Sequence, residues 1–306
     1  MHLFTVRMPE FDDAGVGRMR KLLEEHAGAA PGNGTAGPAV RFETAGKQVI
    51  GQAMLPAFQL KLHGPGVYKA SAKALADFIV DEMEASLLKA AIRKRHRANP
   101  ALDADIVYKY CQSIMNGDET DGLGIRFREA DQARRKGKVA QEAEDYLQEH
   151  TELHLTGFAH FRLAAYRAEL GEIVDYAIDE YVLDKQYQEF ISLLKYFVQL
   201  QETKVPLVHL LHKGGHEFTL YNESFQTLEP KPHNDRIVAE MLETEMNIED
   251  MVISSLISVS PKHIMIHTRH PDMGAIRTIQ TIFGQRVTIC VQCASCSRSL
   301  DGLIHP

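Results

Sequence analysis

The helical period of apolar residues is most persistent between Thr156 and Gln201, a stretch without proline whose two glycines, Gly157 and Gly171, lie at its start and a third of the way along. Tyr176, Leu183, Tyr187, Phe190, Leu194 and Phe197 fall at spacings that keep them on one helical stripe, and such a stripe is expected to face a core. Ile173, Val174, Ala177, Ile178, Tyr181 and Val182 widen it, so the first half is expected to be covered on more than one side. One continuous helix from Glu172 to Gln201 would be about 45 Å long at about 1.5 Å per residue. A break near Asp184–Lys185 into two packed helices is the alternative.

Before this stretch, His2 to Arg7 alternates as a strand, and Asp12 or Asp13 caps a helix to Ala27. The run Gly28 to Pro38 is a surface loop. Its Gly32, Gly34 and Gly37 match the spacing of a dinucleotide fingerprint, but a helix precedes them and a strand follows, the reverse of what phosphate binding needs. Val40 to Thr44, Gln48 to Met54 and Phe58 to His63 read as strands, closed by Gly64-Pro65-Gly66. Ser71 is expected to cap a helix from Ala72 to Arg97; further helices are expected over Asp103 to Met115 and Glu129 to Leu155. After Pro206 the period changes to that of strands. Leu207 to His212 and His216 to Tyr221 flank Lys213-Gly214-Gly215, a hairpin signal. Helices follow at Asn234 to Met246 and Ile248 to Ser258, then a strand at His263 to His267, a helix at Pro271 to Phe283 ended by Gly284, and a strand at Arg286 to Val291, a parallel β-α-β unit.

The fold class is therefore α+β: a small N-terminal β-α-β unit (1–66, with the Gly-rich loop 28–38), a helical middle (67–204), and a C-terminal α/β unit (205–306) of a hairpin plus β-α-β ending in a cysteine cluster. N- and C-terminal strands sharing one sheet is an open alternative. A formal charge of −7 gives no global attraction to nucleic acid or anionic lipid. The start of the chain lacks a signal-peptide pattern, no stretch reaches the length of a membrane span, and four cysteines, three of them bunched near the end, do not form a secreted disulfide framework. A cytoplasmic protein is expected.

The sharpest chemical signal is Cys290-x2-Cys293-x2-Cys296. Two thiolates three residues apart hold one tetrahedral metal, zinc above all, or close a reversible disulfide. If the strands ending at His267 and Val291 are parallel neighbours, their carboxyl ends bring His267-x2-His270 beside Cys290-x2-Cys293, a Cys2His2 set. A second signal is basic. Residues 89–138 hold twelve Lys or Arg against seven Asp or Glu, with Arg93, Lys94, Arg95 and Arg97 crowding one helix end as candidate nucleic-acid contacts. Cations at a helix C-terminus also suit the macrodipole, and the acidic run Glu142 to Glu152 offers to neutralise Arg134 to Lys138. His150 and His154 stand four apart, but the intervening glutamate is misplaced for a metalloprotease helix. His209, His212 and His216 read as a polar hairpin tip. Asp175, Asp179, Glu180, Asp184 and Glu189 spread around their helix instead of converging, and neither G-x-S-x-G nor a phosphate-binding P-loop is present.

Three stretches, HLTGFAHFRLAAY (His154 to Tyr166), AIDEYVLDKQYQEFISLLKYFV (Ala177 to Val198) and SLISVSPKHIMIH (Ser255 to His267), resemble the YtxC family of sporulation proteins of endospore-forming Bacillota. The resemblance runs from about residue 70 onward. It implies a bacterial cytoplasmic protein associated with sporulation and carries no established activity, so no catalytic residue transfers with it. The absence of a catalytic constellation, together with more aromatics (Tyr181, Tyr187, Phe190, Tyr196, Phe197) than one seam needs, points to a non-enzymatic interaction or adaptor protein with a protein partner. A metal-binding or thiol-redox protein and a nucleic-acid binder are the alternatives.

Overall fold

A computed structural model describes residues 1–27, 40–56, 58–116, 122–215, 217–228, 248–290 and 293. The expectations for the Gly-rich loop, the helix 234–246, His216 and Cys296 fall outside them. The chain divides into two compact units, Met1–Leu183 and Asp184–Pro306.

In the first unit, β1 (His2–Arg7), β2 (Val40–Thr44), β3 (Gln48–Ala53) and β4 (Glu152–His154) form a sheet in the order β2-β3-β1-β4. β1 lies antiparallel to β3 and parallel to β4, and four of its six residues are buried. Gly51 of β3 is opposite Phe4 and Phe42. A Cβ there would stand 3.2 Å from the Phe42 ring and 3.4 Å from that of Phe4, so the missing side chain is the space the two rings occupy. Helix α1 (Asp13–Ala27) starts where Asp12 Oδ1 accepts from the Gly15 amide, as its sequence implied, and buries Val16, Met19 and Leu23 on one stripe.

Phe58 to His63 is not a strand. Leu60 opens α2 (Leu60–Phe78), and Gly64, Pro65 and Gly66 lie inside that helix. Pro65 is close enough to the N-terminus that it leaves open only the carbonyl of exposed Lys61, which water can solvate. Ser71 caps nothing; it is buried within α2. A π-helical turn, Ile79–Met83, joins α2 to α3 (Glu84–Ala98). Ser71, Leu75, Ile79, Met83 and Leu87 are all buried at steps of four, which on an α-helix of 3.6 residues per turn drifts by about 40° per step. The wider π turn keeps them on one face. Asp103 Oδ1 accepts from the Ile106 amide and starts α4 (Ala104–Asn116).

The long α5 (Gly122–Glu149) packs on α2 and ends before β4, where the sequence pattern predicts that the helix continues. His154 Nδ1 accepts from the Gly157 amide and starts α6 (Leu155–Phe161). α7 (Ala164–Leu200) follows, with no break at Asp184–Lys185. Its buried face in this unit is Tyr166, Leu170, Val174 and Ala177. The stripe expected to be buried is largely outside: Tyr176 is 56% and Leu183 60% exposed. Apolar residues surround this helix, so the period alone allowed two faces; the one carrying Tyr166, Leu170, Val174 and Ala177 is the one that packs.

The second unit holds β5 (Val205–Gly214), β6 (Glu217–Asn222), β7 (Pro261–His267) and β8 (Val287–Cys290) in a separate sheet ordered β6-β5-β7-β8, so the two sets of strands do not share one sheet. β5 and β6 make the expected hairpin, and β5, β7 and β8 run parallel. One face, with Val208, Leu210, Ile264 and Ile266, packs with α8 (Ile248–Val259), α9 (Gly274–Phe283) and Ile191 and Val198 of α7. In α9, Ile276, Ile279, Ile282 and Phe283 are buried, and Gly284 at φ 53° ends the helix. Tyr187, Leu193, Tyr196 and Phe197 of α7 are exposed.

Candidate metal centre

Alternation along the strands assigns the opposite face of the second sheet to His209 and Leu211 of β5, His267 of β7 and Cys290 of β8. Leu211 pairs with His267, and His267 with Cys290, so the three stand in one row across three parallel strands. Cys290 and His267 each end their strand, where a parallel sheet presents side chains to the loops beyond. Cys293 returns to this corner. Nδ1 or Nε2 of His267 and the two Sγ atoms of Cys290 and Cys293 all lie within 4.8 Å of one another.

The distances suit a metal. Cys293 Sγ is 3.7 Å from His267 Nδ1. With zinc–sulfur about 2.3 Å and zinc–nitrogen about 2.0–2.1 Å, a tetrahedral S···N edge is about 3.6 Å. On the far side of the ring, His267 Nε2 is 3.0 Å from Nδ1 of His209. With the proton on Nε2, His267 donates to His209 and keeps its Nδ1 lone pair toward the cysteines, the arrangement by which a ligating histidine is oriented from behind. Burial holds both imidazoles below the ordinary histidine range, His267 also through its neighbour His209, so both are neutral near pH 7. The Phe225 ring stacks on His209 at 4.1 Å, with Phe225 itself at φ 56°. Tyr221 and the two cysteines pack against Leu211.

His270 is not in this group. Thr268 Oγ1 accepts from the His270 amide, and that turn sets the ring 6.1 Å from His212's. The expected Cys2His2 set is thus Cys2His among the described residues, with Cys296 outside them. His209 and His212 are not a polar hairpin tip: they are 8% and 2% exposed. His212 Nε2 is 3.1 Å from the Gly215 carbonyl and Nδ1 2.9 Å from Thr268 Oγ1. His209 was missed because its role depends on pairing with a strand more than fifty residues away; its two-residue offset from Leu211, the partner of His267, was the available signal.

At least five of the twelve cations of the basic stretch are ion-paired within the first unit. Arg135 is 3% exposed and binds Glu84 and Asp131; Glu84 also accepts from the Tyr166 hydroxyl. Lys136 reaches Asp77 at 2.9 Å and Asp81 at 3.1 Å, while Arg134 and Lys138 share Glu169. These partners come from other helices and from the preceding turn of α5, not from the acidic run 142–152. Arg95 is bidentate to Asp175, both contacts at 2.8 Å. Arg93, Lys94 and Arg97 are exposed. His150 stacks on Tyr146 and His154 caps α6, so the pair four apart forms no joint site.

These features define an α+β protein with two small sheets and a histidine–cysteine corner at the carboxyl ends of parallel strands. The sequence model of the YtxC-like family matches residues 69–288, and the chain belongs to that family. The matched stretch contains His209 and His267 and ends before Cys290 and Cys293. "Uncharacterized protein YtxC" of Bacillus subtilis (strain 168) is 29% identical over 182 residues, covering 59% of this chain and 62% of that protein. The chain thus matches a little under two thirds of that relative's length. No solved structure matches it. Among the described residues, no helix is long and apolar enough to cross a membrane.

Proposed function

We propose that this chain is a zinc-binding protein, holding the ion through His267 Nδ1 and the thiolates of Cys290 and Cys293. The observation that carries the reading is the convergence of these three ligand atoms within 4.8 Å, on two register-paired strand ends and the segment just beyond. Borderline-soft zinc suits two thiolates and an imidazole. The ion would fasten the end of β8 to that of β7, a structural role in a non-enzymatic protein. Metal analysis of the purified chain tests this: about one zinc per chain, lost in Cys293→Ser and His267→Ala, is expected. Full alkylation of Cys290 and Cys293 without a chelator, or a reversible disulfide between them with no metal bound, would overturn it, the disulfide favouring thiol-redox use.

The resemblance supports a cytoplasmic role in spore formation for the same protein. Its test is the yield of heat-resistant spores after the gene is deleted and after it is restored. An unchanged yield on deletion would reject that role without touching the metal site.

A further inference from the structure

Within the first unit, a pocket of about 210 Å³ is lined by Lys94 and Arg95 of α3, His160 of α6, Arg167 of α7 and the apolar Leu87 and Leu170. Four basic residues from three helices are among those that line this cavity, and no carboxylate lines it. Asp175 offsets Arg95 alone. Lys94 and Arg167 are exposed, with no ion pair among the described residues. His160 Nδ1 stands 2.8 Å from the Thr156 carbonyl, which leaves Nε2 for another partner.

Three contacts fix Arg95. Its Nε and Nη2 grip Asp175, and Nη2 also donates to the Gly171 carbonyl at 3.1 Å. A Cβ on Gly171 would lie 3.1 Å from that same Nη2, so a side chain there would shift the guanidinium by a few tenths of an ångström. Both Nη1 hydrogens remain without a partner among the described residues. Like charges gathered around an apolar floor repel one another and are stabilised by an anion.

We infer that this pocket binds a small organic phosphate, its phosphoryl group on Lys94, Arg95, His160 and Arg167 and its apolar body over Leu87 and Leu170. Two unneutralised full charges match a dianion better than a carboxylate. The volume lies below the roughly 300–1,000 Å³ of drug-sized sites, so the ligand is small. In the sequence Lys94 and Arg95 read, with Arg93 and Arg97, as a nucleic-acid patch, but these two line a pocket together with His160 and Arg167 and no stacking aromatic, which suits a compact ligand better than a strand.

Calorimetric titration of the full chain with phenyl phosphate, inorganic phosphate and a single-stranded oligonucleotide tests the inference. Phenyl phosphate is expected to bind with one site, about tenfold more tightly than inorganic phosphate because its ring covers the apolar floor. Lys94→Ala with Arg167→Ala is expected to weaken it about tenfold or more, the loss that removing charge-assisted contacts implies. Arg93→Ala with Arg97→Ala, outside the pocket, is expected to bind as the parent does. Both variants alter exposed side chains, and unchanged thermal melts would show that they fold. No saturable phenyl phosphate binding, equal binding by the pocket variant, or oligonucleotide binding that depends on Arg93 and Arg97 in place of phosphate binding would each overturn the assignment.

Discussion

His267 and Cys290 are register partners at the last rung of the β7–β8 ladder. A parallel pairing fixes which side chains meet at its end, so the ligand geometry follows from the same alternation that buries Ile264 and Ile266 on the other face. Slipping β8 by one residue would turn Cys290 to the other face and leave His267 without its partner.

His209 is expected to act from behind the site. Replacing it with Phe leaves all three ligands but removes the acceptor for His267 Nε2. Zinc affinity, measured by competition with a chromogenic chelator, should fall about 10–100-fold. Undiminished affinity would show that His267 is oriented by something else.

The buried ionic group in the first unit should be ranked by its charges. Arg135→Met leaves the nearly buried Glu84 without its cation and is expected to cost about 3–5 kcal/mol. Tyr166→Phe removes only a donor to the same carboxylate and should cost about 1–3 kcal/mol. Denaturant unfolding of both variants checks the order, and a reversed order would contradict the assignment of Arg135 as the compensating charge.

Ser71 offers a gain in stability. Its hydroxyl is buried and has no hydrogen-bond partner among the described residues. Ser71→Ala removes that unmet group and improves helix propensity, so unfolding free energy should rise by about 1 kcal/mol. A loss of similar size would mean that the hydroxyl has a partner.

Cys111 should behave unlike the other thiols. It is fully buried, and that burial pushes its thiol up to about 11. At pH 8 it is therefore protonated as well as inaccessible, and should resist iodoacetamide until the protein unfolds, whereas Cys290 and Cys293 react once metal is stripped. Mass spectrometry of the labelled peptides reads this directly; equally fast labelling of Cys111 would contradict the packing of α4.

Much of this fold was legible from local pattern. The hairpin at Gly214–Gly215, the strand ending at His267 and the stripe of α9 all carry strong periodicity between turn residues. The cysteine knuckle and its nearness to His267 followed from treating two strands as parallel neighbours. What escaped depended on long-range packing. β4 is three residues with one buried side chain, and it exists because it pairs with β1 about 150 residues earlier. Phe58 to His63 alternates like a strand, yet Phe58 alone of its apolar residues is buried and Leu60 and Leu62 are 48% and 63% exposed, so the alternation did not mark a continuous buried face. On α7, apolar residues on all sides concealed which stripe packs. At the site, the turn that Thr268 closes just after β7 moved His270 out of the group, and no spacing rule encodes that hydrogen bond.

The most direct measurement is X-ray absorption at the metal edge of the purified, zinc-loaded chain. The expected result is a mixed first shell containing sulfur at about 2.3 Å and imidazole nitrogen at about 2.0–2.1 Å, and loss of the bound-zinc signal in Cys293→Ser and His267→Ala. A shell of oxygen and nitrogen alone, unchanged in both variants, would contradict it.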